Sequence, residues 1–162
     1  MTRWVFNASP LILLGKIDQL HLIETLSPGF QIPTAVVDEI GAPTIDDPAM
    51  KWVAKPSIAD HVVTAPAPSP LLEQWNLGRG ETAVLSLALR DANPVVLDDL
   101  AARKFATAYQ LPLIGTLGLL LRAKNAGLIT RVAPCVRALN EMGANLSSAV
   151  IARALSLAGE SG

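Results

Sequence analysis

The alternation of short β-branched runs with helical patterns is the feature that most limits what this chain can fold into. Apolar runs typical of strands lie at residues 3–6, 30–33, 61–65, 94–98 and 111–115. Between them, apolar residues recur at helical spacing. Parallel strands need crossover connections, and intervening helices supply them. The order therefore predicts an α/β fold in which helices cover both faces of a central parallel sheet.

The helix patterns occupy most of the remaining chain. They predict one or two helices within 10–26 and further helices over 34–40, 80–92, 100–109, 116–126, 132–142 and 147–158. Ser9 is expected to cap the first helix and Pro10 to occupy its first position. The segment 42–70 contains six prolines, at 43, 48, 56, 66, 68 and 70, and is expected to be an irregular connection around one short helix and one strand.

Length and charge restrict the class of protein. A chain of 162 residues that is 51% hydrophobic can bury a core as one domain, 1–162, ending in a helical pair over 131–158. Its 13 basic and 14 acidic residues nearly cancel, so any nucleic-acid binding must use a local patch. One cysteine and the lack of a long apolar segment predict a cytoplasmic protein without a membrane span.

Polar side chains are expected at the carboxyl ends of the strands, where ligands bind in open α/β sheets. Asn7 follows the first run, and Asp98 and Asp99 follow the fourth. Glu39 and Glu81 lie on the helices that begin near residues 34 and 80. Each also has a structural explanation, such as a turn bond for Asn7, a dipole contact for Glu81 or a helix cap for the aspartates.

The apolar surroundings of these acids favour a cation site. PTAVVDEI and VVLDDLAA place carboxylates within apolar segments, where an unpaired charge costs several kcal/mol. Few basic residues lie near them in sequence, chiefly Arg79, Arg103 and Lys104. Mg²⁺ or Mn²⁺ is the expected partner, because a hard cation relieves the repulsion between clustered carboxylates. His21 and His61 lack a zinc-binding spacing, and the glycines match no phosphate-binding loop.

Five blocks, in order, resemble the PIN-domain family and, within it, VapC-like toxins. They are NASPLILL (7–14), IPTAVVDE (32–39), GRGETAVLSLA (78–88), VLDDLAAR (96–103) and IGTLGLLLRAKNAGLI (114–129). The resemblance implies a three-layer α/β/α sandwich and an acidic cluster that binds Mg²⁺ or Mn²⁺. It also implies a metal-dependent endoribonuclease activity.

The resemblance assigns roles to particular residues. Glu39, Glu81 and either Asp98 or Asp99 look like the family's metal-binding and catalytic acids. Asn7 stands where the family usually has a first aspartate, and an amide is a weaker ligand for a hard cation. Ser9, Arg103 and Thr116 are expected to contact the substrate.

The resulting prediction is an RNA-cleaving toxin of a toxin–antitoxin pair, with RNA, a small antitoxin protein and a second copy of the chain as partners. The alternative is a non-catalytic PIN-like module that binds RNA or protein, in which Asn7 has abolished productive metal binding. The homodimer prediction rests partly on an apolar stripe in the last helix, which includes Val150, Ala154 and Leu155.

Overall fold

The computed structural model describes residues 3–41 and 47–160. The strands are β1 (Val5–Phe6), β2 (Ile32–Pro33), β3 (Val62–Val63), β4 (Val95–Val96) and β5 (Leu113–Ile114). The helices are α1 (Ala8–Lys16), α2 (His21–Leu26), α3 (Thr34–Gly41), α4 (Pro48–Val53), α5 (Pro56–Ala59), α6 (Pro70–Glu73), α7 (Arg79–Asp91), α8 (Leu100–Ala108), α9 (Thr116–Asn125), α10 (Ala133–Glu141) and α11 (Ser148–Leu157). Among these helices, none is long and apolar enough to span a bilayer.

The strands form a parallel sheet in the order β3-β2-β1-β4-β5. Strand β1 pairs with β4, β4 with β5, and β2 with β3, all in parallel. A parallel bridge between Val5 and Gln31 joins the two groups. Because β1 has β2 on one side and β4 on the other, the chain order reverses at the β1–β4 pair. The predicted α/β sandwich with a central parallel sheet is confirmed.

The central strands are buried on both faces. Val5, Phe6, Ile32, Val95 and Val96 have no measurable solvent exposure. Strands covered by helices on both sides need apolar residues at successive positions, and this explains the continuous β-branched runs. The edge strand β3 is only half-buried.

Several boundaries differ from those predicted. Each strand has only two residues in the ladder, and after β1, β2 and β5 a helix begins within two residues. The first helix begins at Ala8 with Asn7 at the N-cap position, so Ser9 lies inside the helix and the predicted Ser9 cap is wrong. Within 47–70 the prolines begin three short helices, α4, α5 and α6, instead of one. The stretch 42–46 lies outside the described residues.

The end of the chain is anchored by Glu160. Its carboxylate accepts hydrogen bonds from Lys124 Nζ at 2.9 Å and from the backbone N–H groups of Val132 at 2.7 Å and Ala133 at 3.0 Å. The bond from Lys124, followed by the one from Val132, lowers the pKa of Glu160 to about 2. This contact ties the residues after α11 to the end of α9 and the start of α10.

Candidate active site

The candidate site lies at the carboxyl edge of the sheet, where β1 and β4 are neighbours. Asn7 directly follows β1 and its backbone N–H donates to Val96 O at 3.0 Å. Asp98 follows β4 after one intervening residue. This is the position at which the strand order reverses, and open α/β sheets bind their ligands in the crevice at such a position.

Asn7 holds one side of the site and is only 2% exposed. Its Nδ2 donates to Glu81 Oε1 at 3.4 Å, a long hydrogen bond. Its Oδ1 is buried and has no hydrogen-bond partner. An unpaired buried carbonyl oxygen is unfavourable by about 1–3 kcal/mol, so a water or a cation bound to this atom would stabilise the fold.

Gly80 has no side chain and so keeps open the space that Asn7 Oδ1 faces. Helix α3 packs against α7 and brings Glu39 to the same place. A Cβ at residue 80 would lie 3.1 Å from Glu39 Oε1, 3.3 Å from Glu39 Oε2 and 3.4 Å from Asn7 Oδ1. Oxygens from two distant segments therefore converge on a volume that only glycine keeps open.

The two glutamates interact electrostatically. Partial burial raises the pKa of the Glu39 carboxyl, and the negative charge of Glu81 raises it further. Within the described ranges, no three His, Cys, Asp or Glu side chains are grouped closely enough to hold a metal ion. With the amide oxygen of Asn7, however, Glu39 and Glu81 form a set of hard oxygen donors that fits Mg²⁺ or Mn²⁺.

The structure separates the two adjacent aspartates. Asp98 is half-buried and accepts two hydrogen bonds from Thr116, one from its N–H at 2.9 Å and one from its Oγ1 at 2.6 Å. Asp99 is exposed and caps α8 by accepting from Ala102 N–H at 2.9 Å. Asp98 therefore remains at the sheet edge, whereas Asp99 satisfies the start of a helix.

A cavity of about 930 Å³, the large cavity, opens beside Asp98. Its lining includes Ser9, Arg103 and Thr116 and several residues of α11. The Arg103 guanidinium is half-buried above Gly115, with Nη1 3.3 Å from the point where a Cβ of residue 115 would lie. Among residues 3–41 and 47–160, no carboxylate oxygen lies within 4.0 Å of an Arg103 side-chain nitrogen, so Arg103 forms no ion pair with them.

Sequence reasoning did not single out the glycines that shape this site. Gly80 keeps the volume between Asn7 and Glu39 open, and a side chain at Gly78 would collide with the Glu81 carboxylate. The available signal was their spacing in GRGE, since glycines that flank an acid at the start of a helix allow close approach by other groups. That spacing alone does not reveal which side chains approach.

Comparison with known proteins adds one result. The family model DUF3368, described as a PIN domain, matches residues 3–160. The match covers nearly the whole chain and does not distinguish a VapC-like branch within PIN domains. No curated protein matches the chain.

Proposed function

We propose that this chain, which belongs to the PIN-domain family DUF3368, is a metal-dependent endoribonuclease. PIN domains are generally nucleases that act on RNA, so membership gives the nuclease class and does not favour the non-catalytic alternative. We propose three finer points here: that the enzyme cuts within the RNA strand, that it depends on Mg²⁺ or Mn²⁺, and that individual residues have the roles described below.

The observation that carries the proposal is the convergence of oxygens around Gly80. Asn7 Oδ1 is unpaired, and the Glu39 carboxylate faces the same volume beside the charge of Glu81. These three residues would hold the cation. When bound, a divalent cation acts as a Lewis acid toward the phosphodiester and makes water a stronger nucleophile.

The other residues of the site bind and orient the substrate. Arg103 offers several N–H donors in a planar array, which matches the oxygens of a phosphate group. Thr116 fixes the Asp98 carboxylate through two hydrogen bonds, so that Asp98 faces the edge in one orientation. Ser9 shares the wall of the large cavity with Asp98 and Arg103, and its hydroxyl can donate to a phosphate oxygen.

The test is cleavage of a fluorescently labelled single-stranded RNA by the purified protein. We expect cleavage with Mn²⁺ or Mg²⁺, complete inhibition by EDTA, and recovery when the metal is restored. Glu81→Gln should lower the rate by about 100-fold or more, because the variant loses a charged ligand that stabilises the transition state by several kcal/mol. RNA binding without cleavage at any metal concentration would instead support a non-catalytic module.

The two aspartates provide a matched pair of variants. Asp98→Asn removes a charge from the sheet edge and should lower cleavage strongly. Asp99→Asn is the same chemical change one residue away and keeps a good helix cap, so it should cleave RNA like the wild type. The reverse result would show that Asp99, and not Asp98, belongs to the active site.

The toxin role is a finer part of the proposal and rests on the VapC-like resemblance. Induced expression in a bacterial host should arrest growth, whereas expression of Glu81→Gln should not. A small antitoxin protein encoded next to this chain should bind it and suppress RNA cleavage. Normal growth during expression of an RNA-cleaving wild type would argue against the toxin role.

The homodimer also remains a proposal, with a revised surface. Ala154 and Leu155 are buried within the chain, so they do not form the outward stripe that the sequence suggested. Val150 is 45% exposed and Leu157 is 64% exposed, and these are the large apolar residues that α11 leaves at the surface. A monomer mass at tens of micromolar by light scattering, unchanged in Leu157→Arg, would exclude a dimer through this face.

A further inference from the structure

A second cavity lies at the other end of the same sheet edge. It has a volume of about 480 Å³ and is lined by the start of α3, residues 64–68, and the start of α7. Thr34 follows β2 and Thr64 follows β3, as Asn7 follows β1. In the sheet order β3-β2-β1-β4-β5, this cavity therefore lies on the β3 side of the acids and the large cavity on the β5 side.

The walls of this cavity are small and pre-organised. Nearly half of the lining residues are alanines or prolines, among them Ala35, Ala67, Ala83 and Pro66. The buried Ser86 donates through Oγ to Pro66 O at 2.8 Å and so ties the 64–68 segment to α7. We call this cavity the small-residue slot, and its alanines and prolines offer an apolar surface against which a planar ring can pack.

Polar side chains surround the slot and could form hydrogen bonds with the edge of a planar group. Hydroxyls come from Thr34, Thr64 and Thr82, while Asn76 and Glu73 lie at the connection between α6 and α7. Glu73 has no ion-pair partner within 4.0 Å among the described residues. An ionised glutamate can only accept hydrogen bonds, so it favours a partner that presents N–H donors.

The slot and the acids share the start of helix α7. Thr82 and Arg79, which line it, lie in the same first turn of α7 as Glu81. Arg79 pairs with Asp38 at 3.3 Å, and Asp38 precedes Glu39 on α3. Because the slot lies on the β3 side of the acids and Arg103 on the β5 side, an RNA strand that runs along the sheet edge past Arg103 and the acids would continue toward the small-residue slot.

We propose that the small-residue slot is a base-recognition subsite for single-stranded RNA, a role that rests on the proposed nuclease function. It holds the base next to the cleaved phosphate and prefers a base with an exocyclic amino group. Glu73 accepts from that amino group, whereas the O4 of uracil faces the carboxylate with a second acceptor and is disfavoured.

Cytosine and uracil give the sharpest comparison, because they have the same ring size and differ in amino and keto groups. We would measure binding of labelled C12 and U12 oligoribonucleotides by fluorescence anisotropy in EDTA, where no cleavage occurs. The wild type should bind C12 about tenfold more tightly than U12. Glu73→Gln should remove this preference, because a glutamine amide both donates and accepts hydrogen bonds.

A second variant tests the slot by filling it with a larger side chain. Ala67 is exposed on the 64–68 segment, so Ala67→Trp should fill the slot without disturbing the core and should weaken binding of both oligonucleotides. The matched controls are Glu141→Gln and Ala152→Trp, at exposed positions outside both cavities, and they should bind like the wild type. Circular dichroism confirms that each variant is folded.

The outcomes separate this inference from the nuclease proposal. Equal binding of C12 and U12 by the wild type, or a preference that survives in Glu73→Gln, would overturn the base-recognition role even if RNA is cleaved with Mn²⁺. A C12 preference that disappears in Glu73→Gln would support the role. That result would hold even if the protein cleaves neither oligonucleotide and the nuclease function fails.

Discussion

Gly80→Ala is the substitution that most directly tests the oxygen cluster. The added methyl group would lie 3.1 and 3.3 Å from the two Glu39 oxygens and 3.4 Å from Asn7 Oδ1, in the volume assigned to the cation. Exposed Glu39 can rotate away, so the strain on the fold is small. Alanine also favours the helix by up to ~1 kcal/mol relative to glycine.

We therefore expect opposite effects on stability and on metal binding. The free energy of unfolding in EDTA should stay within ~1 kcal/mol of the wild-type value or rise. Affinity for Mn²⁺ should fall by about tenfold or more, equivalent to ~1.4 kcal/mol, because Glu39 and Asn7 can no longer reach a shared ion.

Urea denaturation and isothermal titration with Mn²⁺ measure the two quantities separately. Gly118→Ala is the control, since it makes the same change inside α9 and its methyl would contact Ile114 at 3.2 Å, away from the acids. That variant should bind Mn²⁺ like the wild type. Wild-type Mn²⁺ affinity in Gly80→Ala would refute the assignment of the cation to this volume.

Three further substitutions test other parts of the structure. Asn7→Asp should raise both Mn²⁺ affinity and the cleavage rate, because a charged oxygen replaces an amide oxygen; a titration and a rate assay would show whether the two rise together. Thr116→Val removes the 2.6 Å bond to Asp98 and should cost ~1 kcal/mol in urea denaturation while slowing cleavage. In the wild type, the stability from Glu160 is complete above the ordinary carboxyl pKa and is lost as pH falls toward about 2. Glu160→Gln should therefore unfold in acid with a weaker pH dependence than the wild type.

The fold was predictable because local patterns and packing agree. Buried parallel strands need apolar residues on both faces, and the runs around Val5, Ile32 and Val95 satisfy this requirement in the printed sequence. The boundaries were less predictable, since a strand ends where its ladder ends and not where β-branched residues stop. Within 47–70 the prolines suggested irregular chain, yet Pro48 and Pro56 each begin a helix, where a missing N–H is no loss.

The site was predictable only in part, for a geometric reason. Strand ends lie at one edge of a parallel sheet, so the sequence could place Asn7 and Asp98 there together. It could not distinguish Asp98 from Asp99, because both follow the same strand and either could cap α8. The difference depends on Thr116, 18 residues further along, whose two hydrogen bonds orient Asp98.

The amide at residue 7 leaves the candidate site with one negative charge fewer than an aspartate would. An aspartate there would place a third carboxylate near Glu39 and Glu81, where burial and then repulsion by Glu81 already raise the pKa of Glu39. The amide instead donates to Glu81 through Nδ2 and leaves only its neutral oxygen unpaired. Without a cation, the fold thus carries one unsatisfied oxygen in place of a third repelling charge. At the proposed cation site, Asn7 would therefore weaken the attraction for a cation and, for the same reason, make the fold less dependent on having one bound.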